Sequence, residues 1–148
     1  MEIEKFLQTI LTKESIYKNE PMSKHTTFKI GGKAEYFLKI DNIDTLKKII
    51  QFTNKNNTPV TIVGNGSNLL VTDKGIKGIT IKPSFKIIEK EETKDEIIYR
   101  VGSGVSIIAL AVKALEDSAT GLEFASGIPR NYWWCNSHEC RLLWWRNK

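Results

Sequence analysis

The chain has 148 residues, 41% hydrophobic and 26% charged, with a formal net charge of +5 at pH 7. This composition suits one globular domain with a real core and excludes a disordered or fibrous chain, and no apolar run is long enough to span a bilayer. The charge leaves no nucleic-acid footprint: after position 129, Arg130, Arg141, Arg146 and Lys148 face only Glu139, while earlier lysines alternate with acids as on a solvated surface.

Residues 1–12 read as an amphipathic helix, with Ile3, Phe6, Leu7, Ile10 and Leu11 on its apolar side. That period is not an export signal, which points to the cytoplasm. Lys18–Pro21 reads as a polar connector, so residues 1–20 form an N-terminal helix and connector. Thr26–Ile30 reads as extended and stops at Gly31-Gly32, and Glu35–Ile40 reads as a strand. Asp41 or Asn42 caps a helix running to about Asn56, with Ile43, Leu46, Ile49, Ile50 and Phe52 on its buried side. Pro59–Val63 is the next strand, and the resulting β-α-β unit implies a parallel pair with a right-handed crossover.

That strand ends in Gly64-Asn65-Gly66-Ser67-Asn68, and a further apolar run, Leu69–Val71, reads as strand. Glycine reaches positive φ without steric cost, so successive backbone amides here can converge on one anion, typically a phosphate. Ser67, Asn65 and Asn68 add side-chain donors. The same residues equally suit a tight turn between two strands, and the pentapeptide by itself favours the turn. It is not a P-loop, because no Gly-Lys-Ser/Thr follows. Nor is it the Gly-x-Gly-x-x-Gly dinucleotide fingerprint, because Leu69 stands where the third glycine belongs. Its position after a parallel strand is where open α/β sheets hold ligands.

Gly78–Lys82, Phe85–Glu91 and Glu96–Val101 read as short strands of an antiparallel meander. Gly102-Ser103-Gly104 breaks the pattern, as a bare turn or as an approach to a ligand. Ser106–Glu116 reads as a helix, and Gly121–Pro129 as a loop with buried anchors. His25 reads as a solvated or hydrogen-bonded loop histidine, and Glu123 as structural.

After Pro129 the texture changes. All four tryptophans (Trp133, Trp134, Trp144, Trp145) and both cysteines (Cys135, Cys140) lie in residues 130–148. Cys135, His138 and Cys140 offer a metal only three ligands at awkward spacing, where a structural zinc site takes four. A Trp/Arg anchor for a membrane or partner is a second reading. The genetic code supplies a more specific one. Tryptophan has the single codon TGG, and TGGTGG read from its second base gives Gly-Gly. Shifted in this way from the Arg130 codon, the permitted codons allow Gly-Ile-Ile-Gly-Gly-Ala-Ile-x-Met-Asn-Ala-Gly-x-Tyr-Gly-Gly-Glu-Ile. Residues 130–148 therefore read as a tail displaced by a single-base insertion near the Pro129 codon, in the gene or in the read.

Three segments carry a family resemblance. Pro21-Met-Ser-Lys-His25-Thr-Thr-Phe-Lys-Ile-Gly-Gly32, Pro59-Val-Thr-Ile-Val-Gly-Asn-Gly-Ser-Asn-Leu-Leu-Val71 and Thr120-Gly-Leu-Glu-Phe-Ala-Ser-Gly-Ile-Pro129 are similar, in order and spacing, to segments of the UDP-N-acetylenolpyruvoylglucosamine reductases. The shifted text resembles the glycine-rich segment that follows in that family. The resemblance implies an α+β, FAD-binding domain of the vanillyl-alcohol-oxidase (PCMH) type over 21–129. Its parts are a small β-α-β subdomain and an incomplete antiparallel-rich subdomain with helices.

The activity implied is reduction of UDP-N-acetylglucosamine enolpyruvate in peptidoglycan synthesis, with hydride passing from NADPH through FAD. Gly64, Asn65, Gly66, Ser67 and Asn68 would hold the FAD pyrophosphate. Gly127, Ile128 and Pro129 would lie near the flavin. Ile30 and Gly31, with Thr27, would shape the adenosine side. The family's substrate-supporting arginine, proton-donating serine and late glutamate have no counterpart here, so no catalytic residue is assigned and the chain by itself is expected to be inactive. The alternatives are a non-catalytic flavin- or nucleotide-binding remnant and a partner-binding module; neither nucleic acid nor membrane is an expected partner. Sequencing the gene across the Pro129 codon is expected to show codons for the glycine-rich text, one base out of frame where the insertion is in the gene and in frame where it is in the read; codons that spell no such text in either frame rule the insertion out.

Overall fold

The computed structural model describes residues 2–94 and 96–127, which divide into two compact units at the Pro83/Ser84 bond. The first unit opens with helix α1 (Glu2–Ile10), which buries Leu7. Strand β1 (Ile16–Pro21) follows, then β2 (Lys33–Ile40), helix α2 (Ile43–Lys55), β3 (Val60–Ile62) and β4 (Ile76–Pro83). The strands form one sheet in the order β1-β2-β4-β3.

The expected β-α-β unit is present, and Asn42 rather than Asp41 caps its helix. The Asn42 carboxamide oxygen accepts the amides of Asp44 at 2.9 Å and Thr45 at 3.0 Å. On the buried side of α2, Phe52 stacks on Phe6 of α1 with ring centroids 3.9 Å apart. Four expectations change. Lys18–Pro21 is not a connector but part of β1, antiparallel to β2 with Tyr17 opposite Phe37. Thr26–Ile30 is a turn, closed by the Lys29 amide on the Thr26 carbonyl at 3.2 Å. Leu69–Val71 is irregular, although Val71 is buried. Gly78–Lys82 belongs to no meander: β4 is a central strand, parallel to both β2 and β3 and lying between them.

That insertion has a simple cause in burial. Ile79, Thr80 and Ile81 of β4 are fully buried, and a strand covered on both faces takes a central place in a parallel sheet. One register shift interrupts the β2–β4 ladder, where Ala34 pairs with Ile76 but Tyr36 pairs with Ile79. The extra residue in β4 is accommodated at Gly78, in the left-handed region at φ 76°. The Gly78 amide donates to the Glu35 carboxylate at 2.8 Å, and a Cβ there would meet the Pro59 carbonyl oxygen at 2.3 Å.

The second unit holds the antiparallel hairpin β5 (Ile88–Glu92) and β6 (Ile97–Val101), helix α3 (Ile107–Glu116) and a short 3-10 turn at Glu123–Gly127. Ile107, Leu110, Ala111 and Ala125 make its core, with Tyr99, Val101, Ile108 and Leu122 packed on it. Gly102 and Gly104 run against residues 84–87: their amides donate to the Ile87 and Phe85 carbonyls at 2.8 and 2.9 Å, and a Cβ on Gly102 would meet the Phe85 carbonyl oxygen at 2.3 Å. The bare-turn reading of Gly102-Ser103-Gly104 thus has a structural reason.

Asp117, which ends α3, ties the hairpin to the helix. It accepts from the Tyr99 hydroxyl at 2.6 Å and from the Lys90 ammonium at 3.0 Å. The Tyr99 and Lys90 hydrogen bonds hold its carboxyl below the ordinary aspartate range. Burial, then the Asp117 carboxylate, push the Tyr99 hydroxyl up. A depressed folded-state pKa means stability that is present above the ordinary aspartate value and lost as pH falls through the depressed one. Asp117→Asn is therefore expected to melt earlier than the parent at neutral pH. The two should converge in acid below the usual carboxylate range, as followed by thermal denaturation across pH.

Candidate functional site

The site grows from the crossover between β3 and β4. Those strands are parallel neighbours, so the chain must travel back along the sheet between them, and residues 63–75 do so without a helix. Val63 continues the edge of β3, its amide donating to the Ile81 carbonyl at 2.9 Å. The chain then turns through Gly64–Asn68.

Gly66 is the pivot of that turn. Its φ is 67°, and a Cβ on it would lie 1.8 Å from the His25 carbonyl oxygen. Its own carbonyl accepts the Thr27 amide at 3.1 Å. The strand-to-strand turn is thus pressed onto residues 25–27, and only glycine fits there. The receiving segment is itself held. The His25 ring stacks on Phe37 with centroids 4.0 Å apart, and its Nε2 lies 3.1 Å from the Glu20 carboxylate. The Thr26 hydroxyl donates to the Ile30 carbonyl at 3.0 Å. His25 is therefore the hydrogen-bonded loop histidine that its surroundings in sequence suggest.

Among the described residues, the amides of Gly64, Asn65, Gly66, Ser67 and Asn68 donate no hydrogen bond. Asn65 and Asn68 are exposed and Ser67 is half-buried. A turn with consecutive unengaged amides, held from behind by a backbone contact, leaves donors free to take an anion. The residues present therefore fit a phosphate group, and through it a nucleotide cofactor.

The structure separates Gly31 from this turn. Gly31, at φ 131°, and Gly32 are locked onto residues 71–73: a Cβ on Gly31 would sit 3.0 Å from Val71 Cβ, and the Gly32 amide donates to the Thr72 carbonyl at 3.1 Å. Both glycines line a cleft of about 550 Å³ at the amino ends of β2 and β4, with Asn19, Lys33, Glu35, Asp73, Lys74 and Lys77 among its other walls. Ile30 is 56% exposed and Phe28 57%, so this stretch presents apolar surface between the cleft and the turn. Gly127 ends the 3-10 turn of the second unit. Ile128 and Pro129, the remaining expected flavin neighbours, lie outside the described residues, as do Cys135, His138 and Cys140. Among the described residues, no three His, Cys, Asp or Glu side chains could hold a metal ion, and no helix is long and apolar enough to cross a membrane.

The role of residues 25–27 escapes a sequence reading, since nothing local marks a carbonyl that must meet a glycine some forty residues away. The lysines of the cleft escape it too, because lysine is frequent throughout the chain.

The family described as FAD binding domain matches residues 34–130, a span that contains the turn. UDP-N-acetylenolpyruvoylglucosamine reductase of Lachnoclostridium phytofermentans is 42% identical over 125 residues, covering 83% of this chain and 40% of that protein. UDP-N-acetylenolpyruvoylglucosamine reductase 2 of Bacillus cereus is 40% identical over 128 residues, covering 86% and 41%. The crystal structure of UDP-N-acetylenolpyruvylglucosamine reductase from Thermus caldophilus aligns with a TM-score of 0.55 at 27% identity, over 75% of this chain and 37% of that one. The chain thus spans about two fifths of the length of the curated relatives it matches. Gly66→Ala is expected to lower stability by more than about 1 kcal/mol, through the left-handed φ and the collision with His25. Asn65→Ala at the exposed tip should leave the thermal midpoint nearly unchanged, and denaturation of the two variants side by side checks both.

Proposed function

The chain belongs to the FAD binding domain family, and we propose that it holds FAD by the pyrophosphate at Gly64–Asn68, as the cofactor-binding part of a UDP-N-acetylenolpyruvoylglucosamine reductase. The observation that carries this is the contact of Gly66 with the His25 carbonyl: it fixes the turn while leaving five consecutive amides without a hydrogen-bond partner among the described residues. Oriented amides of this kind stabilise a diphosphate without reorganising when it arrives. By the family resemblance, Ile30 and Gly31 would shape the adenosine side, and Gly127, Ile128 and Pro129 would be the flavin's neighbours.

Bound FAD would supply a two-electron carrier, taking hydride from NADPH and passing it to the enolpyruvyl group of UDP-N-acetylglucosamine enolpyruvate, with a proton completing the saturated product. This chain's own part is binding and orientation. Flavin binding is the part of that activity assigned to these residues.

Purified protein is expected to take up FAD with one-to-one stoichiometry and to show flavin absorption. Gly66→Ala should weaken FAD at least about tenfold. Folded parent protein that rejects FAD overturns the binding assignment.

A further inference from the structure

Lys82 is the penultimate residue of β4, at the carboxyl end of a central strand. Its register partner on β2 is Lys39, and on its other side lies Val63, where β3 gives way to the glycine turn. The pleat places alternate residues on one face, so Phe37 and Lys39 of β2, Thr61 of β3, and Thr80 and Lys82 of β4 share a face of the sheet.

The two lysines differ in what they touch. The Lys39 ammonium donates to the Tyr17 hydroxyl at 3.4 Å and lies 4.9 Å from the centre of that ring. Lys82 is half-buried, and its ammonium has neither a hydrogen bond nor an ion pair among the described residues. One step back on the same face, the Thr80 hydroxyl is buried and also without a partner. A covered ammonium beside a second ammonium, with no carboxylate opposite, is an unfavourable arrangement for the protein alone. Burial, then the Lys39 charge, hold the Lys82 ammonium pKa below the usual lysine range. An anion placed there would remove the imbalance.

We propose that Lys82, with Lys39 beside it, is the counter-charge of an anionic group held at the carboxyl ends of β2, β4 and β3: a phosphate of the nucleotide whose diphosphate the Gly64–Asn68 amides take. This rests on the flavin-binding reading and adds to it a charged contact on a strand that no glycine motif marks. The turn supplies oriented neutral donors, and the strand supplies a cation that backbone amides cannot provide.

Calorimetric titration of the full chain with FAD, ADP and inorganic pyrophosphate tests it, using the parent, Lys82→Gln, Lys82→Arg and, as a control on the far exposed surface, Lys48→Gln. Lys82→Gln is expected to weaken all three ligands on the order of tenfold and to flatten the salt dependence of binding. Lys82→Arg should retain most of the affinity, and Lys48→Gln should match the parent. Circular dichroism establishes that each variant is folded; should Lys82→Gln not fold, a parent-like salt dependence in Lys82→Met would overturn the proposal. Parent-like affinity in Lys82→Gln overturns the role of Lys82 while leaving flavin binding intact. Lys82-dependent binding of pyrophosphate without binding of FAD supports the anion site and overturns the flavin reading. A parent that binds none of the three overturns both.

Discussion

The contact on which the first unit depends is between a backbone carbonyl and a glycine with no side chain. His25 presents its carbonyl oxygen where any Cβ on Gly66 would lie, and Thr27 returns an amide to the Gly66 carbonyl. Two segments distant in sequence, 22–32 and 63–75, are thereby joined over one face of the sheet. Beneath them lies an apolar cluster of Met22, Phe37, Val63 and Val71, with Tyr17, Leu69 and Ile76 packed against it. Burial of those side chains drives the assembly, and the glycine contact fixes its geometry. The Phe37 ring serves both, since it sits in the cluster and carries the stacked His25.

Placing β4 between β2 and β3 is what makes a site of this arrangement. Were β3 to pair directly with β2, the turn after β3 would border a strand edge and nothing else. With β4 inserted, the carboxyl end of a strand buried at its centre lies alongside the turn, and Lys82 comes next to Val63. The cost of the insertion is a long return of the chain from β3 to β4 without a helix. That return is held at three glycines: Gly66 on His25, Gly32 on Thr72 and Asp73, and Gly75 on Lys33. The glycine-rich texture of this region is as much a requirement of the crossover as of any ligand.

The charges of the first unit separate along the strand direction. Lys33, Lys74 and Lys77 surround the cleft at the amino ends of the strands, together with Asp73 and Glu35, and Glu35 is engaged by the Gly78 amide at the bulge. At the carboxyl ends stand Lys39 and Lys82, and no acid is hydrogen-bonded or ion-paired to either among the described residues. The amino-end cleft therefore has carboxylates of its own, whereas the carboxyl end carries cations and unengaged amides. The proposed affinity for a diphosphate rests on the second environment rather than on the overall net charge.

The amino-acid sequence by itself determined the local elements and the family. The apolar period of α1 and α2, the Asn42 cap, the β5–β6 hairpin and the glycine-rich turn after β3 all follow from forces acting within a few residues. The three linked motifs identified the relatives for the same reason, because each is a contiguous string. Only the tertiary structure decided what those strings touch. Residues 16–21 look polar because β1 is an edge strand whose burial is partial, so periodicity missed it. Gly78–Lys82 reads like any short strand, and its central position depends on the burial of Ile79–Ile81 by elements far along the chain. The backbone clash that makes Gly66 obligatory, and the lack of an ion pair to Lys82 among the described residues, are properties of distances across the sheet. No window of sequence contains them, because the atoms concerned become neighbours only when the crossover closes over the folded face.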